Sequence, residues 1–177
     1  TLLMMTGCSP NAESTPSQAL PGDQMVFVVM SSGGMAPALL QALASPSLAI
    51  YGDGRVLTLV ESPFTRLTPA RYEVARIDPI AVASFVADVE AGGIVRPGTD
   101  FGTPRATDLP STTVMVHGLG AAQQVSPYAF DERFDARLTA DQQQARAALR
   151  AEIERASALA TAVPAAPYLP DRVVVYE

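Results

Sequence analysis

The chain has 177 residues, of which 48% are apolar and 17% are charged. This composition supplies a hydrophobic core and excludes a wholly disordered chain. The formal net charge of −6 argues against nucleic acid as a partner. The single cysteine, Cys8, excludes disulfide bonds within the chain and a cysteine-based metal site.

The first eight residues predict a lipid attachment site at Cys8. A secretory signal ends in an apolar segment and a small-residue cleavage site, and here the apolar residues 2–5 are followed by Thr-Gly-Cys. This order resembles a bacterial lipobox, in which signal peptidase II cuts before the cysteine and the thiol then carries a diacylglyceryl group. A methionine stands three positions before Cys8, where leucine is usual. We interpret residues 1–7 as the end of a signal peptide; the alternative is an unmodified thiol after an ordinary apolar segment.

Residues 8–24 are predicted to form a lipidated, flexible tether. The segment is rich in serine, proline and other polar residues, and a flexible coil of about 16 residues spans roughly 20–25 Å. No apolar run of 18 or more residues follows Cys8, so we expect the lipid to hold the protein on the outer face of the cell membrane. Because no basic residue precedes the apolar run, and because residues 172–176 resemble a strand, we also expect further sequence at both ends.

Four strand-like segments come before residue 78. These segments are Met25–Met30, Leu48–Tyr51, Arg55–Val60 and Arg71–Ile77. The first is a continuous apolar run rich in β-branched residues, which is typical of a strand buried on both faces. The second and third flank Gly52-Asp53-Gly54, and Asp-Gly between two strands favours a tight hairpin with Asp53 in the turn. Residues 36–45 are ambiguous between strand and short helix.

Asp78 and Pro79 predict the start of a helix, because aspartate is a favoured N-cap and proline fits the first helical position. Four apolar residues then follow at i, i+3, i+4 and i+7, which places them on one face. Gly92-Gly93 ends the helix. The four apolar residues are Val82, Phe85, Val86 and Val89.

A second hairpin and a second helix are predicted in the remainder of the chain. Ser111–His117 is a strand, and Gly118–Gly120 turns it into residues 121–126. Thr139 and Gln142 have the spacing of a capping box and begin a helix that reaches about residue 159. We expect its inner face to contain Leu138, Ala145, Leu149, Ile153 and Ala156, and its wet side to contain Arg146, Arg150, Glu152, Glu154 and Arg155.

Together these elements predict a single α+β domain over residues 25–177. Its antiparallel sheet is built from hairpins, and its two helices pack on one face of that sheet. A last strand is predicted at residues 172–176.

Several short segments also suggest a family. They are Ile50–Val56, Asp100–Gly102, Thr107-Asp108 followed by Thr112–Val114, Ser126–Ala129 and Pro167–Pro170. Their order over residues 25–176 resembles a group of uncharacterised cell-envelope lipoproteins of actinobacteria, the high-GC Gram-positive bacteria. The resemblance implies an envelope location and a chain that continues beyond Glu177. It implies no catalytic residue.

His117 is the only histidine and the main candidate for catalysis. A general base needs a nucleophile or a carboxylate within hydrogen-bond reach, and Asp100, Asp108, Ser111 and Thr112 precede His117 in the sequence and could approach it. The chain has no Gly-x-Ser-x-Gly nucleophile elbow. We therefore interpret His117 as a partly exposed hairpin residue, with the catalytic interpretation as the alternative.

Two further groups of residues could bind ligands. The first is an acidic cluster, which could bind calcium weakly or form a solvated loop; its members are Asp131, Glu132 and Asp135. The second is a set of tyrosines, which could line a groove for sugar or peptide or could pack in the core and at the sheet edges; its members are Tyr51, Tyr72, Tyr128 and Tyr168. One histidine and one cysteine do not provide a zinc site, and no metal or cofactor is expected.

The sequence thus favours a lipid-anchored protein with a binding or accessory role at the cell envelope and without catalytic activity. The expected partner is an envelope protein or a small ligand. Two alternatives remain open. One is an envelope hydrolase that uses His117 with Asp108 or Asp100, and the other is a surface peptidase inhibitor that presents the loop at 96–110.

Overall fold

Seven strands in one antiparallel sheet and two α-helices are seen in a computed structural model that describes residues 18–37, 41, 44–62 and 70–171. Cys8, the predicted strand at 172–176 and part of the ambiguous segment 36–45 lie outside the described residues. The strands are β1 Met25–Gly33, β2 Leu48–Tyr51, β3 Arg55–Glu61, β4 Arg71–Arg76, β5 Pro110–Val116, β6 Gln123–Val125 and β7 Ala166–Pro167. The helices are α1 Pro79–Gly92, a 3-10 helix Glu132–Arg137 and α2 Ala140–Thr161.

The strands lie in the order β6-β5-β1-β2-β3-β4-β7, and each neighbouring pair is antiparallel. β1 therefore has a partner on each side, with Phe27 opposite both Ile50 and Val116. All four residues of Val26–Val29 are buried, which confirms the prediction of a strand buried on both faces. The predicted fold class, an α+β sheet with helices on one face, is confirmed.

Both predicted hairpins are present. Ile50 pairs with Val56 across the first turn, where Asp53 accepts hydrogen bonds from the Arg55 N–H at 3.0 Å and from Arg55 Nε at 2.7 Å. Asp53 is therefore a turn residue, as expected. The second hairpin joins β5 to β6, with Val116 opposite Gln123.

α1 follows its predicted pattern closely. The Asp78 carboxylate accepts the Ile80 N–H at 2.9 Å, and Gly93 ends the helix with a φ of 68°. The predicted stripe is buried against the sheet, and the Phe85 ring packs edge-on against Phe27 with 5.1 Å between centroids. Full burial of such side chains stabilises the fold by about 1.5–3 kcal/mol each.

α2 begins at the predicted capping box of Thr139 and Gln142. Leu149 and Ala156 are buried, as expected for its inner face. Arg146, however, was predicted on the wet side and is fully buried. That prediction was wrong because the Arg146 guanidinium donates hydrogen bonds to a carboxylate and to several main-chain carbonyls inside the fold, as described below.

Candidate functional site

His117 lies directly after β5, at the end of the sheet near the start of β1. Its N–H donates to the Val26 carbonyl at 2.9 Å, and its carbonyl accepts a hydrogen bond from Gln24 Nε2 at 3.2 Å. The residue is half-buried. These main-chain contacts fix the position of the backbone where the second hairpin turns.

Asp108 lies at the opposite end of β5. It is exposed and has a φ of 58°, and its carbonyl accepts the Met35 N–H at 3.1 Å. β5 runs from Pro110 to Val116 between it and His117, and a strand of this length spans roughly 20 Å. The structure therefore does not bring His117 and Asp108 together.

Asp100 lies in the loop that follows α1 and is exposed. Its carboxylate accepts a hydrogen bond from Gln142 Nε2 at 3.0 Å and one from the Gly102 N–H at 2.8 Å. The Gln142 contact, and then the Gly102 contact, lower the pKa of the Asp100 carboxyl below its ordinary value. Asp100 is therefore ionised at neutral pH, and it is tied to the start of α2 through the capping glutamine.

Asp100 lines a groove of about 380 Å³ that runs beside β6. We call it the edge groove, because one wall is the loop 97–103 and the other is formed by residues 124–128 at the edge of the sheet. His117, Asp108 and Ser111 do not line it. The lining residues are Pro97, Gly98, Thr99, Asp100, Phe101, Gly102, Thr103, Gln124, Val125, Ser126, Pro127 and Tyr128.

A buried ion-pair network lies beneath the edge groove. Arg146 Nε and Arg150 Nη2 each approach one oxygen of Asp135 at 2.5 Å. Both guanidinium groups also lie over the Phe130 ring, at 5.1 and 5.3 Å from its centroid. The sequence predicts that Asp135 belongs to an acidic cluster that either binds calcium weakly or is solvated, but the structure buries it between two arginines.

The Arg146 guanidinium also joins the two walls of the edge groove. Its Nη1 donates to the Phe101 carbonyl at 3.4 Å and to the Tyr128 carbonyl at 3.2 Å, and its Nη2 donates to the Ala129 carbonyl. One side chain thus fixes both the 97–103 loop and the segment after β6. We call this set of contacts, centred on Arg146 and Asp135, the arginine clamp.

Sequence reasoning missed the arginine clamp, although one feature pointed to it. Arg146 stands three residues before Leu149 and seven before Ile153, which places it on the same face as the apolar stripe of α2. An arginine in that stripe indicates either a break in the pattern or a buried partner. The partner, Asp135, is 11 residues earlier in sequence.

Tyr128 holds the rest of the loop that precedes β5. Its hydroxyl donates to the Ala106 carbonyl at 3.1 Å and accepts the Leu109 N–H at 3.2 Å. The other three tyrosines lie on β2, on β4 and directly after β7. Tyr51 stacks with Arg55 at 4.5 Å, and Tyr72 donates to the Pro46 carbonyl at 2.6 Å, while Tyr168 pairs with the Tyr72 backbone. The four tyrosines therefore do not form one groove.

A second cavity, of about 560 Å³, lies between α1 and the turn Gly118–Gly120. Its carboxylates already have partners: Glu90 Oε1 accepts the Gly118 N–H at 3.1 Å, and Asp88 is paired with Arg155 at 3.1 Å. These contacts stabilise the turn and the contact between α1 and α2. The edge groove contains Asp100, a candidate residue from the sequence, and runs along the end strand β6, so we take it as the candidate site.

Two of the segments that carry the family resemblance meet at the edge groove. Asp100–Gly102 and Ser126–Ala129 contribute to its opposite walls and provide carbonyls to the arginine clamp. Comparison with known proteins finds no significant match for this chain among family models, curated proteins or solved structures.

Proposed function

We propose that this protein is a lipid-anchored binding domain on the outer face of the cell membrane and that it has no catalytic activity. The observation that carries the proposal is the apolar run that ends in Thr-Gly-Cys at Cys8 and is followed at once by a polar, proline-containing segment. The resemblance to envelope lipoproteins of actinobacteria supports the same location.

The anchor at Cys8 would hold the domain close to the membrane. Each buried methylene contributes about 0.8 kcal/mol, and two acyl chains give stable attachment where one gives only marginal binding. The described part of the chain has no helix that is both long and apolar enough to cross a bilayer. A tether over residues 8–24 would place β1, which starts at Met25, at a typical distance of roughly 20–25 Å from the lipid.

The edge groove supports a binding role. Its walls carry main-chain groups and neutral side chains together with one ionised carboxylate, Asp100. A general base must reach the proton that it abstracts, and His117 lies outside this groove and a strand's length from Asp108. The geometry therefore favours recognition over the hydrolase alternative.

The peptidase-inhibitor alternative is not favoured by the form of its loop. Within 96–110, Phe101 and Pro104 are buried, and the Phe101 carbonyl is held by Arg146. Residues 97–103 of the loop form one wall of the edge groove, whereas an inhibitory loop must project into the active site of a protease.

Metabolic labelling with a palmitate analogue, combined with membrane fractionation, tests the anchor. The protein is expressed from its chromosomal gene as wild type, as Cys8→Ala and as Ser9→Ala. We expect label and membrane association in the wild type and in Ser9→Ala, because both keep the thiol. Both should be lost in Cys8→Ala. Absence of label from the wild type, or label that persists in Cys8→Ala, would contradict the proposal.

A further inference from the structure

The hydrogen-bond register shows which groups of β6 point away from the sheet. The Thr112 N–H donates to the Pro127 carbonyl, and the Ala129 N–H donates to the Pro110 carbonyl, both at 3.0 Å. In an antiparallel pair, hydrogen-bonded and non-hydrogen-bonded residue pairs alternate. Gln123 and Val125 therefore direct their N–H and C=O groups toward β5, whereas Gln124 and Ser126 direct theirs outward.

This outward side of β6 is an open edge that faces the edge groove. β6 is the end strand of the sheet, and no strand within the described ranges pairs with its outer side. Gln124 and Ser126 are exposed and line the groove together with the 97–103 loop. A row of unpaired N–H and C=O groups is a template for an added strand.

Asp100 gives the groove its charge. Both hydrogen-bond donors to its carboxylate, the Gln142 amide and the Gly102 N–H, are neutral, and it makes no ion pair within the described part of the chain. A net charge of −6 adds a long-range attraction for cationic partners. A basic side chain is therefore the complementary group for this wall.

We propose that the edge groove binds an extended segment of a partner polypeptide that carries a basic side chain. The segment adds as a strand beside β6, its main chain bonds to Gln124 and Ser126, and its arginine or lysine pairs with Asp100. In such strand addition, main-chain hydrogen bonds provide affinity and the side chains provide specificity. This inference rests on the proposed binding role and names the class of partner.

A peptide titration on the ¹⁵N-labelled 177-residue chain tests the inference. The probe is the acetylated and amidated peptide Thr-Val-Arg-Val-Thr, compared with a version that has glutamate in place of arginine and with one that is N-methylated at alternate amides. We expect the arginine peptide to shift the NMR signals of the Gln124 and Ser126 amides. The glutamate peptide should bind roughly fivefold or more weakly, and the N-methylated peptide should not bind.

Variants locate the interaction on the protein. Ser126→Pro removes one outward N–H, and proline is tolerated where the N–H of an edge strand faces solvent; Ser126→Ala keeps that N–H and is the matched control. We expect loss of binding only in Ser126→Pro. Asp100→Asn should weaken binding of the arginine peptide and reduce the difference in affinity between the arginine and glutamate peptides. If circular dichroism shows that Ser126→Pro is unfolded, the N-methylated peptide tests the main-chain hydrogen bonds instead, because it lacks the N–H groups that would pair with β6.

Several outcomes would overturn the inference. These are no binding of the arginine peptide, equal binding of the arginine and glutamate peptides, binding that survives in a folded Ser126→Pro, or shifts that map outside the groove. Sedimentation showing a dimer that Ser126→Pro dissolves would identify a second copy of the chain as the occupant instead. None of these results changes the labelling of Cys8, so failure here is distinguishable from failure of the anchor.

Discussion

Arg146 is among the largest side chains in this protein that are fully buried, and a charge in that position needs compensation. Moving an ion out of water costs several kcal/mol even after the protein relaxes. Here the Asp135 carboxylate, three main-chain carbonyls and the face of Phe130 surround the guanidinium. Charge-assisted bonds and a cation–π contact offset the cost of burial, and the relative position of the two groove walls depends on them.

Replacing Asp135 with alanine should therefore be strongly destabilising. Asp135→Ala leaves the Arg146 guanidinium buried without its counter-ion, and breaking a buried pair from one side costs about 3–5 kcal/mol. Urea denaturation followed by circular dichroism measures the free energy of unfolding. The control is Arg71→Ala, which removes an ion pair with Glu61 at 3.0 Å in which the arginine is 71% exposed, and which should cost about 1 kcal/mol or less. If both variants lost the same free energy of unfolding, the arginine clamp would not stabilise the fold.

At the scale of the elements, the first hairpin depends on the backbone of Gly54. This residue has a φ of 88°, a region that side chains other than glycine rarely adopt. A Cβ at this position would also lie 2.1 Å from the carbonyl oxygen of Ile77. That carbonyl belongs to the backbone where β4 ends, so it has little freedom to move away.

Gly54→Ala should consequently destabilise the protein by more than the roughly 1–3 kcal/mol of a strained backbone conformation alone. Gly92→Ala is the matched control, because its added Cβ meets nothing within 4 Å and it lies in the last turn of α1. The control should be neutral or stabilising by up to about 1 kcal/mol. Thermal unfolding of both variants, monitored by circular dichroism, provides the comparison. A Gly54→Ala protein as stable as the wild type would contradict the strained turn.

The elements themselves were largely predictable because their causes are local. Gly52–Gly54 defines the first turn, Asp78 and Pro79 begin α1, and the capping box of Thr139 begins α2; each acts within a few residues of the structure that it specifies. The position of Arg146 was not predicted, because the burial of an arginine depends on a partner from another element. The edge groove was missed for the same reason: Asp100 and Ser126 come from loops that only the folded sheet brings together.

At the scale of the whole molecule, the strand order follows from few sequence cues. The continuous apolar run of β1 indicated a strand buried on both faces, and the two hairpins fixed the neighbours β2–β3 and β5–β6. The alternation pattern does not say that β1 pairs with β5, which places β6 at one edge and β7 at the other. That long-range pairing creates the open edge, and hence the proposed site, and it is the part of the architecture that local patterns leave undetermined.

Native-state hydrogen exchange, followed residue by residue by NMR, tests this arrangement in the free protein. Amides of β1 such as Val28 and Val29 are buried between two partner strands, so they should exchange only with the free energy of global unfolding. Along β6 and the residue after it, the Val125 amide points toward β5 and should be protected, whereas the Gln124 and Ser126 amides point outward and should exchange at nearly the rate of an unfolded chain. Val125 is the internal control, since it lies between these two residues. Protection of Gln124 equal to that of Val125 would mean that the outer side of β6 already has a partner in the free chain, and an added strand would then have no place to bind.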